Sequence, residues 1–361
     1  MIAGCVQNLS YENRVPLPFA DRTPRLMTLG VILLVGAAGS GCIVALLPIA
    51  RFVPQAPGTP VVPIAQLVLA GVLYATLAAV LGALGYGLVR RRRWARPLTM
   101  ILATHTLVFG AVTLVCAAIA VPLTAEAFST EFAAAQGSAA PAGNLTGLFI
   151  GIAVASVVFI LLTLIALPLT YLLLLRHPEV LLTVQHYDGR TRWTDRVPPA
   201  VLNMTVTLGV AAVGVAAWAA YATVPLFNTV VRGAAAVALV LLAAAALAIA
   251  TWQAYRLRPR GWWLGMTTIV IMTLLLLPSI FMMPLADYYA ALGVEARQIG
   301  PFLNHPWLAR ASTAAGLVLL SGVFVAYMLR AKPAFDAAVR ARATGAHDSH
   351  YSSGSSPAAG G

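Results

Sequence analysis

Phe19-Ala20-Asp21-Arg22-Thr23-Pro24 leads into an apolar run over Leu26–Ala50, and Trp193-Thr194-Asp195-Arg196-Val197-Pro198 leads into another over Val201–Val224. Each lead-in is an aromatic residue followed by Asp-Arg-x-Pro, and each run is long enough to cross ~30 Å of hydrocarbon as a helix. Further landmarks then recur behind both in the same order. A basic cluster ending in Trp separates the second and third runs (Arg90 to Trp94) and the sixth and seventh (Arg256 to Trp262). Pro122-Leu123 and Pro284-Leu285 close the third and seventh runs. Leu175-Arg176-His177-Pro178 and Leu329-Arg330-Ala331-Lys332-Pro333 close the fourth and eighth. Ordered recurrence over so long an interval marks a tandem duplication.

The runs predict spans near Leu26–Ala50, Ile64–Val89, Ala95–Val121, Leu145–Leu175, Val201–Val224, Val231–Tyr255, Trp263–Leu285 and Ala309–Leu329. None alternates apolar and polar residues as an outer-membrane strand would. The fold class is therefore all-α: a polytopic membrane helix bundle of eight transmembrane helices, built as two parallel four-helix repeats. Four is an even number, so both repeats enter the membrane in the same direction. The predicted organisation is a tail over 1–25, a first repeat over 26–175, a linker over 176–199, a second repeat over 200–332 and a tail over 333–361, disordered from about Thr344. Composition agrees. Of 361 residues, 60% are hydrophobic and 9% charged, against about 25% charged in soluble domains.

The net charge of +12 is a matter of placement. All but four of the 23 Lys and Arg residues fall in the tails and in the connections that share a side with them; Arg51, Arg232, Arg297 and Arg310 are the exceptions. Lys/Arg excess marks the cytoplasmic face, so both termini are expected there, beside anionic lipid headgroups. The charge is not read as a nucleic-acid footprint. Cys5, Cys42 and Cys116 form no Cys-x-x-Cys, and Ile2-Ala3-Gly4-Cys5 lacks an upstream apolar segment, so it is not read as a lipoprotein box. The first span, with some 25 residues before it, is not read as a cleavable signal.

Smaller features predict packing. Gly147, Gly151 and Ala155, and Ala212, Ala216 and Ala220, repeat every four residues, a spacing that lets helix backbones approach. Gly36-Ala37-Ala38-Gly39-Ser40-Gly41 is read the same way. Pro168 and Pro278 are expected to bend their spans. Thr124 to Asn144 is Ala-rich enough for an interfacial helix, and Tyr288, Tyr289 and Trp307 suit the headgroup zone. Pro178–Val184 and Pro333–Val339 each predict a short amphipathic helix on the bilayer surface.

Chemistry-bearing residues are few. All 11 acidic residues lie in tails or connections, which argues against a proton-coupled pump or an intramembrane hydrolase. His105, between Thr104 and Thr106, is the one ionisable side chain well inside a span. These three form a candidate intramembrane polar site, with Thr273 as the approximate counterpart of His105 in the second half. His105 reads either as a ligand contact or proton site, or as a neutral imidazole hydrogen-bonded to a nearby Thr or carbonyl, and the second reading is favoured. Asp21, Arg22, Arg93, Trp94, Asp195 and Arg196 form a candidate cytoplasmic interface, either as latch or docking points or simply as helix caps and headgroup contacts. No cofactor, metal ligand set or catalytic residue is expected.

The Asp195-Arg196-x-Pro198 lead-in, Arg93-Trp94-Ala95-Arg96 and Arg176-His177-Pro178-Glu179-Val180 resemble a group of uncharacterised multi-pass bacterial membrane proteins. The resemblance implies a bacterial inner-membrane location and brings no activity. Three roles stay open: a non-catalytic membrane component that scaffolds, assembles or regulates a partner membrane protein; a facilitator or lipid or small-molecule permease with a path between the repeats; and an enzyme acting on headgroups, for which Asp287, Glu295 and His305 are the nearest set.

Overall fold

The computed structural model describes residues 21–49, 64–136, 151, 154–190, 192–195, 197–292 and 306–343. Within them lie eight helices long and apolar enough to cross a membrane, ending the question of fold class: the chain is an all-α, multi-pass membrane helix bundle. An α-helix closes its own backbone hydrogen bonds, which lipid cannot do for it. The spans are Thr23–Leu46, Leu67–Val89, Ala95–Ala118, Val154–Leu175, Pro199–Tyr221, Ala234–Tyr255, Pro259–Met282 and Ala309–Ala343. Arg196, Gly147, Glu295, His305, the tail from Thr344 and the segment before Asp21 lie outside the described residues.

Burial concentrates at the end of the bundle where the basic turns lie. There the first half gathers Leu26, Leu29 and Leu33 of the first span, Leu84 and Leu88 of the second, Ala95 and Ala103 of the third and Tyr171, Leu172 and Leu175 of the fourth. The second half gathers Val201, Met204 and Leu208 with Leu247, Ala254, Trp262, Met328 and Phe335. Its spans close a ring: fifth on sixth, sixth on seventh, seventh on eighth, eighth on fifth. In the first half the first span pairs with the second, the second meets the third, and the third packs on the fourth. The third span also carries the junction between halves, packing on the fifth and eighth, with its Ile101 in the second half's core.

Three local features recur in both halves. The turn after the second span hydrogen-bonds Arg90 N–H to Tyr86 O, Arg91 N–H to Leu88 O, Arg92 N–H to Gly87 O and Ala95 N–H to Arg92 O. The turn after the sixth does the same with Arg256 to Trp252, Leu257 to Ala254, Arg258 to Gln253 and Gly261 to Arg258, every partner displaced by one constant interval. Arg91 and Leu257 both take φ of 53°. Next, Arg96 Nε–H donates to Leu175 O, and Trp262 Nε1–H, one interval on, donates to Met328 O, so each half's third span bonds a backbone carbonyl of its fourth, at the last residue in the first half and within the helix in the second. Finally, Tyr171 Oη–H donates to Leu29 O and Tyr327 Oη–H to Ala200 O, tying each half's fourth span to its first.

Several expectations need correction. The third helix runs on to Gln136, about 63 Å at 1.5 Å per residue and twice the hydrocarbon thickness; the expected interfacial segment begins as its continuation. Pro333 likewise sits inside a continuous helix, Pro306–Ala343, rather than opening a separate surface helix. Phe335 and Ala338 on that extension are buried in the second half's core, which holds it in line. Between the fifth and sixth spans the chain forms a β-hairpin, β1 (Thr223–Leu226) against β2 (Thr229–Arg232), antiparallel around Phe227-Asn228. Phe227 takes φ of 53° there, and its N–H donates to the buried Ser279 Oγ at 2.7 Å. The Thr and Val residues that extended the apolar runs are β-branched and serve the strands instead.

The small-residue stripes are met in part: Ala212 is buried in the second half's core, and a Cβ added at Gly36 would lie 3.4 Å from Leu81 Cδ1. A Cβ added at Gly151, Gly39 or Gly41 would meet open space, and Ala155 is exposed. Backbones touch at other glycines. Gly30 and Gly85 face each other between the first two spans, where an added Cβ at either would lie 2.8 Å from the other's carbonyl oxygen. At Gly110 an added Cβ would lie 2.6 Å from both Leu164 O and Leu164 Cβ. The cause is Pro168, which has no N–H for Leu164 O to accept. The helix widens into a π-segment over Leu161–Ala166, with Leu167 N–H reaching back to Leu162 O, and the third span presses a glycine against the exposed backbone. Pro278 lies within an unbroken helix, Pro259–Met282.

Candidate functional site

The structure separates the three intramembrane residues. Thr104 and Thr106 hydroxyls donate to Met100 O and Leu102 O one turn back on their own helix. Only His105 reaches another span. Its Nδ1 lies 2.7 Å from Ile101 O and its Nε2 2.7 Å from Thr207 Oγ1 on the fifth span. A carbonyl can only accept, so Nδ1 carries the proton towards Ile101; in the neutral ring Nε2 then accepts the Thr207 hydroxyl. Thr207 Oγ1 also lies 2.8 Å from Asn203 O, a second acceptor for the same proton. The pair therefore bridges the two halves inside the membrane. A double-mutant cycle on His105→Leu and Thr207→Val should return a coupling of about 0.6 kcal/mol and no more than about 1.7, read by unfolding in mixed micelles.

The basic face is more tightly built. The linker Arg176–Pro199 forms a ten-residue helix, Pro178–Tyr187, and a short 3-10 turn, Trp193–Asp195. Proline at the first helical position suits the missing N–H there, and Val180, Thr183 and Val184 are the buried face. Three carboxylates on this linker fasten it to the first half. Glu179 Oε2 accepts Arg22 Nε–H at 2.6 Å, with both side chains about a third exposed, while Thr183 Oγ1 accepts the Arg22 backbone N–H. Asp188, only 4% exposed, accepts the Arg93 backbone N–H at 3.2 Å and pairs with Arg192 at 3.2 Å. Asp195 Oδ2 lies 3.3 Å from Arg93 Nε and accepts the Arg192 N–H at 2.9 Å. The Arg91 guanidinium stacks 3.9 Å over the Tyr187 ring.

The two Asp-Arg-x-Pro copies thus do different work. Asp21 organises its own helix start: Oδ1 accepts the Thr23 N–H and hydroxyl, and Oδ2 accepts Tyr187 Oη–H. Asp195 pairs with Arg93 and accepts the Arg192 N–H, and the fifth helix has Pro198 at its N-cap. Trp94 lies across Gly87, its ring 3.1 Å from where a Cβ would sit, so it serves packing. Asp287 belongs to the opposite end of the bundle, where its backbone carbonyl accepts from Arg232. Glu179, Thr183, Asp188, Tyr187 and Arg192 were not singled out from sequence. The available signal was three acids in one short linker of an acid-poor chain.

Hydrogen bonding favours the charged form of Asp21, Glu179 and Asp188. The Thr23 hydroxyl and amide depress Asp21 below its ordinary 3.8, and the Arg22 hydrogen bond depresses Glu179 below 4.5. Burial pushes Asp188 up, but the Arg93 N–H and Arg192 outweigh it, leaving that carboxyl below 3.8 as well. A depressed acid stabilises the fold fully above its ordinary value and loses that contribution as pH falls through the depressed one. The unfolding midpoint should therefore be flat from pH 7 down to about 5 and fall below about 4, as followed by linker proteolysis against pH.

No protein-family model, curated protein sequence or solved structure matches the chain.

Proposed function

We propose that this multi-pass membrane protein is a non-catalytic component of the bacterial inner membrane, a scaffold, assembly or regulatory subunit, that meets its partner through the cytoplasmic basic face. The observation that carries the reading is the linker. Its carboxylates are consumed in fixing Arg22, Arg93 and Arg192, which leaves an ordered surface bearing exposed Arg90, Arg92, Arg256, Arg258 and Arg260. A surface held in place by internal ion pairs presents a defined pattern of positive charge to an acidic partner segment and to anionic headgroups. Orientation follows from the Lys/Arg excess on that side.

A tandem duplication underlies the architecture. The constant interval between the two turns, and the matched bonds at Arg96 and Trp262, support it. That interval aligns His105 with Ile271, two residues from the Thr273 that sequence landmarks gave. Ile271 is 50% exposed on the bundle surface, where an imidazole would face hydrocarbon, whereas His105 has Thr207 to meet. The alternative role, a permease with a path between the repeats, draws support from the placement of His105 and Thr207 at that junction.

Affinity purification of the full chain from native membranes in mild detergent, with mass spectrometry, tests the proposal. A stoichiometric membrane protein lost on charge reversal of Arg258 and Arg260 is the expected result. A lone chain carrying a defined small molecule would overturn it in favour of the permease.

A further inference from the structure

We propose that the two basic turns are a matched pair of sites for the phosphate of an anionic lipid, one in each half. This deepens the reading of the basic face as the headgroup-facing surface and rests on it. In each turn the arginine that follows the span stacks on an aromatic ring one helical turn earlier. Arg90 Cζ lies 5.5 Å from the Tyr86 ring centroid, and Arg256 Cζ 4.5 Å from that of Trp252. Residues four apart share one helix face, so each ring and its guanidinium lie one above the other along the bundle's outside.

Both rings are open to the surroundings, Tyr86 at 54% and Trp252 at 57%, and both arginines are exposed. Stacking fixes the planar guanidinium, whose fork of N–H donors matches a phosphate. Among the described residues no acceptor takes a hydrogen bond from the side chain of either Arg90 or Arg256. Among the described residues neither arginine has a carboxylate partner, whereas Arg22, Arg93 and Arg192 each do. A second exposed arginine two residues on, Arg92 and Arg258, recurs in both turns. At the second site Arg342 Nη1 also donates to Arg256 O at 2.6 Å, adding another cation beside it.

Divergence between the halves singles out these positions. Along the matched turns Gly87 faces Gln253, Arg91 faces Leu257 and Arg93 faces Pro259, yet aromatic, Arg and Arg stay in place at 86, 90 and 92 and at 252, 256 and 258. An exposed apolar ring directly beneath an unpaired guanidinium suits a ligand with an acyl chain below its phosphate. That points to a lipid rather than a soluble anion.

The test reconstitutes the full chain in vesicles of equimolar phosphatidylglycerol and phosphatidylcholine, extracts it in mild detergent and counts retained lipids by native mass spectrometry. The expected result is two phosphatidylglycerols on the parent chain, one each on Arg90→Ala and Arg256→Ala, and none on the double variant. Arg330→Ala, which removes an equal charge from an exposed arginine that stacks on no aromatic ring among the described residues, should retain both. Equal retention by the double variant and the parent, or equal loss in Arg330→Ala, would overturn the assignment in favour of diffuse charge. Displacement of the lipid by millimolar inorganic phosphate would make the ligand a soluble anion and overturn it too. Should an arginine variant fail to fold, Tyr86→Leu and Trp252→Leu carry the same count. Lipid retention is read on the isolated chain, so its failure is separable from failure to find a protein partner.

Discussion

Asp188→Ala should destabilise the chain by about 2–3 kcal/mol, because it removes the acceptor of the Arg93 N–H and of the Arg192 guanidinium. The side chain is nearly sealed from solvent and holds the Arg93 N–H and the Arg192 guanidinium together. Its loss leaves a backbone donor and a cation beside a buried surface, a costlier outcome than loss of an open ion pair. Arg22→Ala is the control. It breaks the pair with Glu179, which is about a third exposed on both sides, and exposed pairs contribute little. Reversible unfolding in mixed micelles, with proteolysis after Gly189 as a local probe, should show the linker of Asp188→Ala opening while that of Arg22→Ala stays closed. Asp188→Asn should fall between them, keeping an acceptor for the Arg93 amide and losing the charge.

Gly110→Leu should cost about 3 kcal/mol or more, at the upper end for overpacking. Its Cβ would fall 2.6 Å from the carbonyl oxygen of Leu164, and backbone cannot swing aside as a flexible side chain can. The third and fourth spans would have to separate where the π-segment places them in contact. Gly151→Leu, at a glycine with open space around it, should be close to neutral on the same unfolding curve. A Gly110→Leu variant as stable as the parent would mean that the third and fourth spans do not cross there.

The eight spans were legible because apolar length is a property of composition, and a helix is the one open structure that satisfies itself in lipid. Helix ends were less so. Alanine-rich sequence beyond Val121 continues a helix as readily as it forms a new one, and Pro333 kept its place because Phe335 is buried against the second half. The hairpin at Thr223–Arg232 was hidden because Thr223 and Val224 read as the end of one apolar run and Val231 as the start of the next. The tight glycines lay outside the four-residue stripes, since close approach at Gly110 depends on a proline in another helix. At the basic face, Asp21 and Asp195 look alike in sequence. Which of them meets an arginine depends on where the 90–94 turn falls after folding, and local pattern holds no record of that.

The central claim is that the linker and the two basic turns share one cytoplasmic face, with the hairpin on the other. Single cysteines at Gly189 and Asn228, in a background with Cys5, Cys42 and Cys116 replaced by serine, test it by labelling with a membrane-impermeant maleimide. The account predicts that Gly189→Cys reacts only after the inner membrane is opened and that Asn228→Cys reacts in intact spheroplasts. Labelling of Gly189→Cys in intact spheroplasts, or protection of both sites, would contradict it.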